Sequence, residues 1–150
     1  MKILINNSQS DLKVSLVLLR KLIRSTLQDI LNIACDEISL HLVSRKKISE
    51  LHDQFFDDPS ITDCISFPID LPEDSSDYKV LGEVFVCPYV ATEYAKAHKK
   101  DPYEELSLYI VHGLLHLIGL DDIDRKDRKT MRKKEKFVLG KLKEKNLLLS

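Results

Sequence analysis

The stretch His112-Gly113-Leu114-Leu115-His116-Leu117-Ile118-Gly119-Leu120-Asp121-Asp122 sets two histidines one helical turn apart inside an otherwise apolar run. Residues at i and i+4 share a helix face, so both imidazoles can point at one ion. Gly119 follows at a natural helix stop, and Asp122 then brings a carboxylate to where a third ligand closes a tripod. Three protein ligands with an open fourth position describe a hydrolytic zinc centre better than a structural one.

Working outward, the helix that carries the pair has defined ends. Asp101-Pro102-Tyr103-Glu104 offers an N-cap acceptor, proline at the first helical position and glutamate at the third, a capping-box pattern. From Leu106 to Ile118 the helix is apolar nearly all round and is expected to be a central, buried one. Histidines buried there need partners, because an unpaired buried polar group costs roughly 2–7 kcal/mol. Hydrogen bonds inside the core would satisfy a lone histidine; a pair followed by a carboxylate reads better as a metal site. Asp121, Asp122 and Asp124 are each also suited to cap the next helix, so Asp122 carries two readings. His41, His52 and His98 lie outside the cluster and are assigned to surface or local hydrogen bonding. In the zinc-peptidase motif a glutamate general base follows the first histidine. Gly113 stands there instead, which demotes peptide hydrolysis. A metal-activated water remains available, because zinc alone lowers its pKa to about 7.

Along the chain, strand and helix patterns alternate. Residues 2–6 form a short apolar run suited to a strand. Leu12, Leu16, Leu19, Ile23, Leu27 and Ile30 recur at three- and four-residue steps, predicting an amphipathic helix that starts near Ser10 or Asp11. Ile38, Leu40 and Leu42 alternate with polar residues as in a half-buried strand. Residues 46–56 predict a short helix ended by Asp57-Asp58-Pro59. Strands are expected over 64–69 and 80–86, separated by an acidic loop, and Pro88 opens a helix to about His98. The metal helix and a charged C-terminal helix follow. The predicted fold class is α/β (α+β): a small mixed, partly parallel sheet of about four strands covered by about five helices. Residues 1–150 are expected to form one domain, since no repeat, low-complexity tract or linker interrupts them.

The composition, 43% hydrophobic and 31% charged, is that of a soluble globular protein. Cys35, Cys64 and Cys87 are odd in number and lack C-x-x-C spacing, which suits free thiols in a reduced, cytoplasmic chain. The lack of a signal-like segment and of an 18-residue apolar run argues against secretion and membrane spanning. The net charge of −1 hides a segregation: residues 123–145 hold eleven Lys/Arg against four Asp/Glu, and residues 1–122 hold twelve against twenty. A basic helix near a metal site suits a polyanionic substrate, although a lysine-rich face is also how a helix stays solvated.

The run from His112 to Asp122 resembles the signature H-G-x-L-H-L-x-G-x-D-H of the YbeY family, bacterial single-domain zinc endoribonucleases of rRNA maturation and ribosome quality control. Thr62-Asp63-Cys64-Ile65-Ser66-Phe67-Pro68 resembles the family's P-T-D-V-L-S-F-P block, and Leu81-Gly82-Glu83-Val84-Phe85-Val86 its L-G-D-I-x-I strand. The resemblance implies one Zn(2+) per chain held by His112, His116 and Asp122, with Ser66, Phe67 and Glu83 lining the cleft beside it. It also implies rRNA as substrate and the ribosome or ribosomal proteins as partners; joined to the charge segregation, it makes Lys129, Arg132 and Lys133 of the basic helix the expected RNA contacts. Two departures stand out. Asp122 replaces a histidine ligand, and a carboxylate oxygen is also a zinc ligand, at about 2.0–2.2 Å. Phe56 stands where the family has an arginine, and phenylalanine cannot grip a phosphate. Two functions follow: a single-strand-specific zinc endoribonuclease, or a non-catalytic ribosome-assembly factor with a structural ion and a basic docking helix.

Overall fold

The computed structural model describes residues 1–150 as a four-stranded sheet with helices against it. Strands β1 (Lys2–Asn7), β2 (Glu37–Leu42), β3 (Cys64–Pro68) and β4 (Val80–Val86) stand in the order β1-β2-β4-β3. β1, β2 and β4 run parallel, and β3 pairs antiparallel with β4 at the edge. Five α-helices, α1 (Leu16–Arg24), α2 (Arg45–Phe56), α3 (Pro88–His98), α4 (Pro102–Leu117) and α5 (Arg125–Glu144), complete the mixed α/β arrangement expected from the sequence. No helix is long and apolar enough to cross a membrane.

α4 packs on β3 and β4 on one side and on α3 and α5 on others. Asp101 caps it by accepting from the Tyr103 amide at 2.9 Å, although the return bond from Glu104 that a full capping box requires is not made. Leu106, Ile110, Leu114 and Leu117 are fully buried. Each contributes about 1.5–3 kcal/mol, which outweighs the cost of about 1 kcal/mol for placing Gly113 inside a helix. Tertiary packing, not propensity, holds this helix.

Three local expectations are corrected. α1 begins at Leu16, capped by Ser15, which accepts from the Leu18 amide at 3.2 Å, and not near Ser10 or Asp11. The Gln9 side chain bonds both the amide and the carbonyl of Leu12, holding that segment in a non-helical turn that competes with helix formation. The helix then widens into a π-helical turn over Ser25–Ile30, closed by the Leu31 amide on the Thr26 carbonyl at 3.0 Å. β2 is more buried than a half-exposed strand, with Ile38, Leu40 and Leu42 in the main core on one face and Ser39 also buried on the other, where His41 stacks on Phe85.

Candidate metal centre and cleft

α4 ends at Leu117, and Gly119 follows with φ of +105°, a backbone setting that a residue with Cβ rarely adopts. The turn swings the Leu120 carbonyl under His116 and returns Asp122 over the end of the helix. The result is a cluster in which His112, His116 and Asp122 each offer one donor atom, all within 4.8 Å of one another. The two histidine Nε2 atoms are 3.0 Å apart. Asp122 Oδ2 lies 3.4 Å from His112 Nε2, and Asp122 Oδ1 lies 3.5 Å from His116 Nε2. Donors at about 2.0–2.1 Å in tetrahedral array around zinc sit about 3.3 Å from one another, so the spacing fits a small divalent ion.

Protonation supports the fit. His116 Nδ1 lies 2.9 Å from the Leu120 carbonyl, which can only accept, so Nδ1 carries the proton and Nε2 presents a lone pair. His112 Nδ1 donates at 2.8 Å to Glu135 Oε2, a carboxylate 3% exposed on α5. Glu135 also accepts from Arg132 at 3.0 Å. Burial alone would push Glu135 upward, but the hydrogen bonds and charges of His112 and Arg132 hold its carboxyl below the usual range. Burial likewise pulls on His112 in the direction of neutrality; the hydrogen bond and charge of Glu135, with Asp122 and Asp63 behind it, carry its pKa above the usual value. Two imidazole lone pairs and a carboxylate aimed at one point call for positive charge, which a proton or a divalent ion supplies.

The position of α4 depends on Gly113. A Cβ there would lie 2.5 Å from Val84 Cγ1 and 3.3 Å from Ser66 Oγ, so the helix backbone rests directly on β3 and β4. Ser66 Oγ adds a hydrogen bond to the Gly113 carbonyl at 3.0 Å.

The cluster lies on a ridge between two pockets that share His112 and Asp122. The larger, about 600 Å³, is walled by Asp63, Glu105 and Tyr109 on one side and by Arg132 and Lys136 on the other. Burial raises the Glu105 carboxyl above its ordinary value. The smaller, about 390 Å³, is bordered by His52, Phe56, Cys64, Ser66 and Pro68. Burial, followed by the charge of Asp63, pushes the Cys64 thiol up, so it is a neutral wall.

Of the residues expected at the cleft, Ser66 is there, whereas Phe67 and Glu83 face the other side of the sheet. Phe67 packs on Phe55 and Phe85, and Glu83 pairs with His41 at 3.1 Å. Successive strand residues point to opposite faces, so Ser66 and Phe67 cannot share one cleft. His41, His52 and His98 make hydrogen bonds outside the cluster as expected, and His52 in addition borders the smaller pocket. Lys129, Arg132 and Lys133 are exposed on α5, and Arg132 reaches the larger pocket together with Lys136, which sequence reasoning missed. Asp122 is released from its second reading: Asp124 caps α5, accepting from the Asp127 amide at 2.8 Å. Glu135 was also missed. Its signal is a lone carboxylate on the stripe Met131, Glu135, Val138, Leu142, the buried side of a basic helix.

Residues 4–143 match the family model described as Endoribonuclease YbeY. A protein of Protochlamydia amoebophila (strain UWE25) named Endoribonuclease YbeY is 48% identical over 130 residues, 87% of this chain and 85% of that one. Its namesake in Chlamydia felis (strain Fe/C-56) is 40% identical over 152 residues, covering 99% and 96% of the two chains. The solution structure of TM1509 from Thermotoga maritima superposes with a TM-score of 0.60 at 25% identity, covering 97% of this chain and 94% of that one. With its blocks matched along nearly their whole length, and with a cluster of two histidines and a carboxylate that could hold a metal ion, the chain belongs to the endoribonuclease YbeY family and, as a nuclease, to the hydrolases.

Proposed function

We propose that this protein is a zinc-dependent, single-strand-specific endoribonuclease that cleaves rRNA in the cytoplasm during ribosome maturation and quality control, working at the ribosome. The observation that carries the reading is the convergence of His112 Nε2, His116 Nε2 and the Asp122 carboxylate within 4.8 Å, with both Nδ1 protons already committed elsewhere. His112, His116 and Asp122 would hold one Zn(2+), whose chemistry is to polarise a phosphoryl oxygen and to make hydroxide available near neutral pH.

The remaining roles belong to the chain. Glu135 and the Leu120 carbonyl fix the two rings in the tautomer that a ligand needs; such outlying bonds are worth about 10–100-fold in metal affinity. Arg132 and Lys136 bring positive charge to the larger pocket, and a guanidinium suits a phosphate bidentately. Arg132 thus supplies from α5 a guanidinium that Phe56 cannot supply from α2. Lys129, Arg132, Lys133 and Lys136 recur at three- and four-residue steps on one face of α5, a track for an RNA backbone.

An assembly factor with a purely structural ion would close the shell with four protein ligands. Three donors on a ridge open to two pockets favour catalysis. The test is metal content of the purified protein together with cleavage of single-stranded rRNA fragments before and after chelation. About one zinc per chain and activity that is lost with the ion and regained with it are expected. Cleavage unaffected by complete metal removal would overturn the reading.

A further inference from the structure

Phe56 closes α2 with 57% of its surface exposed, about as much as the 53% of Phe55, but it borders the concave pocket beside the cluster. Its neighbour Phe55 differs: that ring packs on Phe67 at a centroid distance of 4.7 Å, on the far face of the sheet. The His52 ring stands 5.5 Å from Phe56 at 53°, steadied by Nδ1 on the Ser60 carbonyl at 3.0 Å, so the two rings form adjoining walls. The pocket they border reaches His112, His116 and Asp122 directly, and no lysine or arginine lines it. The larger pocket on the other side of the cluster carries Arg132 and Lys136 on its α5 wall, opposite Asp63 and Glu105. The ridge therefore separates a side whose α5 wall offers cations to a phosphate from a side that offers none and suits a flat, uncharged ring.

We infer that the pocket of about 390 Å³ is a nucleobase subsite, in which Phe56 stacks on the base adjoining the phosphate held at His112, His116 and Asp122. The inference rests on the nuclease reading above and adds a direction to it: backbone towards α5, base towards α2. Stacking on an aromatic ring accepts any base, since every base has a π-face. The subsite thus selects for an unpaired nucleotide rather than for a particular sequence, and a base locked in a duplex cannot enter it. His52 is the polar side chain of this wall able to meet the base edge, since the Ser66 hydroxyl is committed to the Gly113 carbonyl.

Cleavage kinetics of the zinc-loaded protein on a single-stranded RNA oligonucleotide test this, using Phe56→Ala, Phe56→Trp and, as a control, Phe55→Ala. Phe56→Ala should raise KM about tenfold with kcat little changed, and Phe56→Trp should restore it. An abasic nucleotide placed next to the scissile phosphate should impose the same penalty on the wild type and none further on Phe56→Ala. Equal KM for wild type and Phe56→Ala, or an abasic penalty that persists in full in Phe56→Ala, overturns the subsite. Fluorescence of a 2-aminopurine base at that position separates this from the nuclease reading. Quenching in the wild type that is lost in Phe56→Ala upholds the subsite even if no cleavage occurs, whereas no quenching overturns it even if cleavage is normal.

Discussion

His112 on α4 and Glu135 on α5 are joined at 2.8 Å across 23 positions of sequence, and the bond ties the candidate metal cluster to the basic helix. Through Arg132, which reaches Glu135 from its own helix at 3.0 Å, one carboxylate connects the imidazole to the cleft guanidinium. Glu135→Gln keeps an acceptor for the His112 Nδ1 proton but removes the charge, and a roughly tenfold loss of zinc affinity is expected. Glu135→Ala leaves that proton unpaired in the interior, which should cost about 1–3 kcal/mol of stability and take the loss of affinity towards the 100-fold end of the about 10–100-fold range. Competition with a chromophoric chelator and chemical denaturation measure the two effects separately.

Asp122 carries no capping duty, so its replacement isolates ligation. Asp122→Asn should leave the melting temperature of the metal-free protein almost unchanged. Its zinc affinity should fall by more than the about 10–100-fold that a supporting partner is worth. Asp122→His should retain the ion. Full zinc occupancy and affinity in Asp122→Asn would remove Asp122 from the ligand set.

The pH dependence of the metal-free protein follows from two opposed shifts. His112 is raised, so its contribution to stability is complete below its unfolded value of about 6.5 and disappears as pH climbs through the folded value. Glu135 is lowered, so its contribution is complete above about 4.5 and disappears as pH falls through the folded value. Together they favour a window between about pH 4.5 and 6.5. Thermal melts of chelated protein should therefore give a higher Tm at pH 5.5 than at pH 8.5. Added zinc should reverse the order, because ligation needs His112 deprotonated. Identical pH profiles for wild type and Glu135→Gln would disprove the coupling.

The α5 face is tested by salt. Replacing Lys129, Arg132 and Lys133 with glutamine should weaken RNA binding and flatten its salt dependence, by about one slope unit for each phosphate no longer neutralised. An unchanged slope would leave these residues as a solvated face only.

Gly113→Ala sets two effects against each other. Helix propensity favours alanine by about 1 kcal/mol, but the new methyl must displace Val84 Cγ1 from 2.5 Å. Overpacking of this kind costs about 1–3 kcal/mol, so net destabilisation is expected, together with weaker zinc binding as His112 moves with its helix. A more stable variant with normal metal affinity would mean that α4 does not rest on the sheet as described.

What the sequence made legible was whatever depends on short spacing. The histidine pair, the Asp101 cap, the Gly119 stop and the alternation of strands and helices all follow from local periodicity. The partner of His112 did not, because Glu135 meets it only after α5 folds back over α4; only its intrusion into an apolar stripe hinted at an inward carboxylate. Phe67 and Glu83 were misplaced for a different reason. The matched blocks put Phe67 next to Ser66 in sequence and Glu83 on the neighbouring strand, yet strand parity turns Phe67 away, and the pairing of Phe67 with Glu83 takes Glu83 to the same far face. The start of α1 escaped because the leucine spacing continues through residue 12, and a glutamine side chain overrides it.

The contact beneath Gly113 also limits what this scaffold could become. A zinc peptidase places its glutamate at the residue after the first histidine. Here any side chain at that residue is driven into Val84 and Ser66. Grafting the acid would prise α4 from the sheet before it supplied a base, so replacing Gly113 alone does not give this centre a peptidase base. The bar to that base lies in the interior, where there is no room for a methyl group, rather than at the surface where substrates are met.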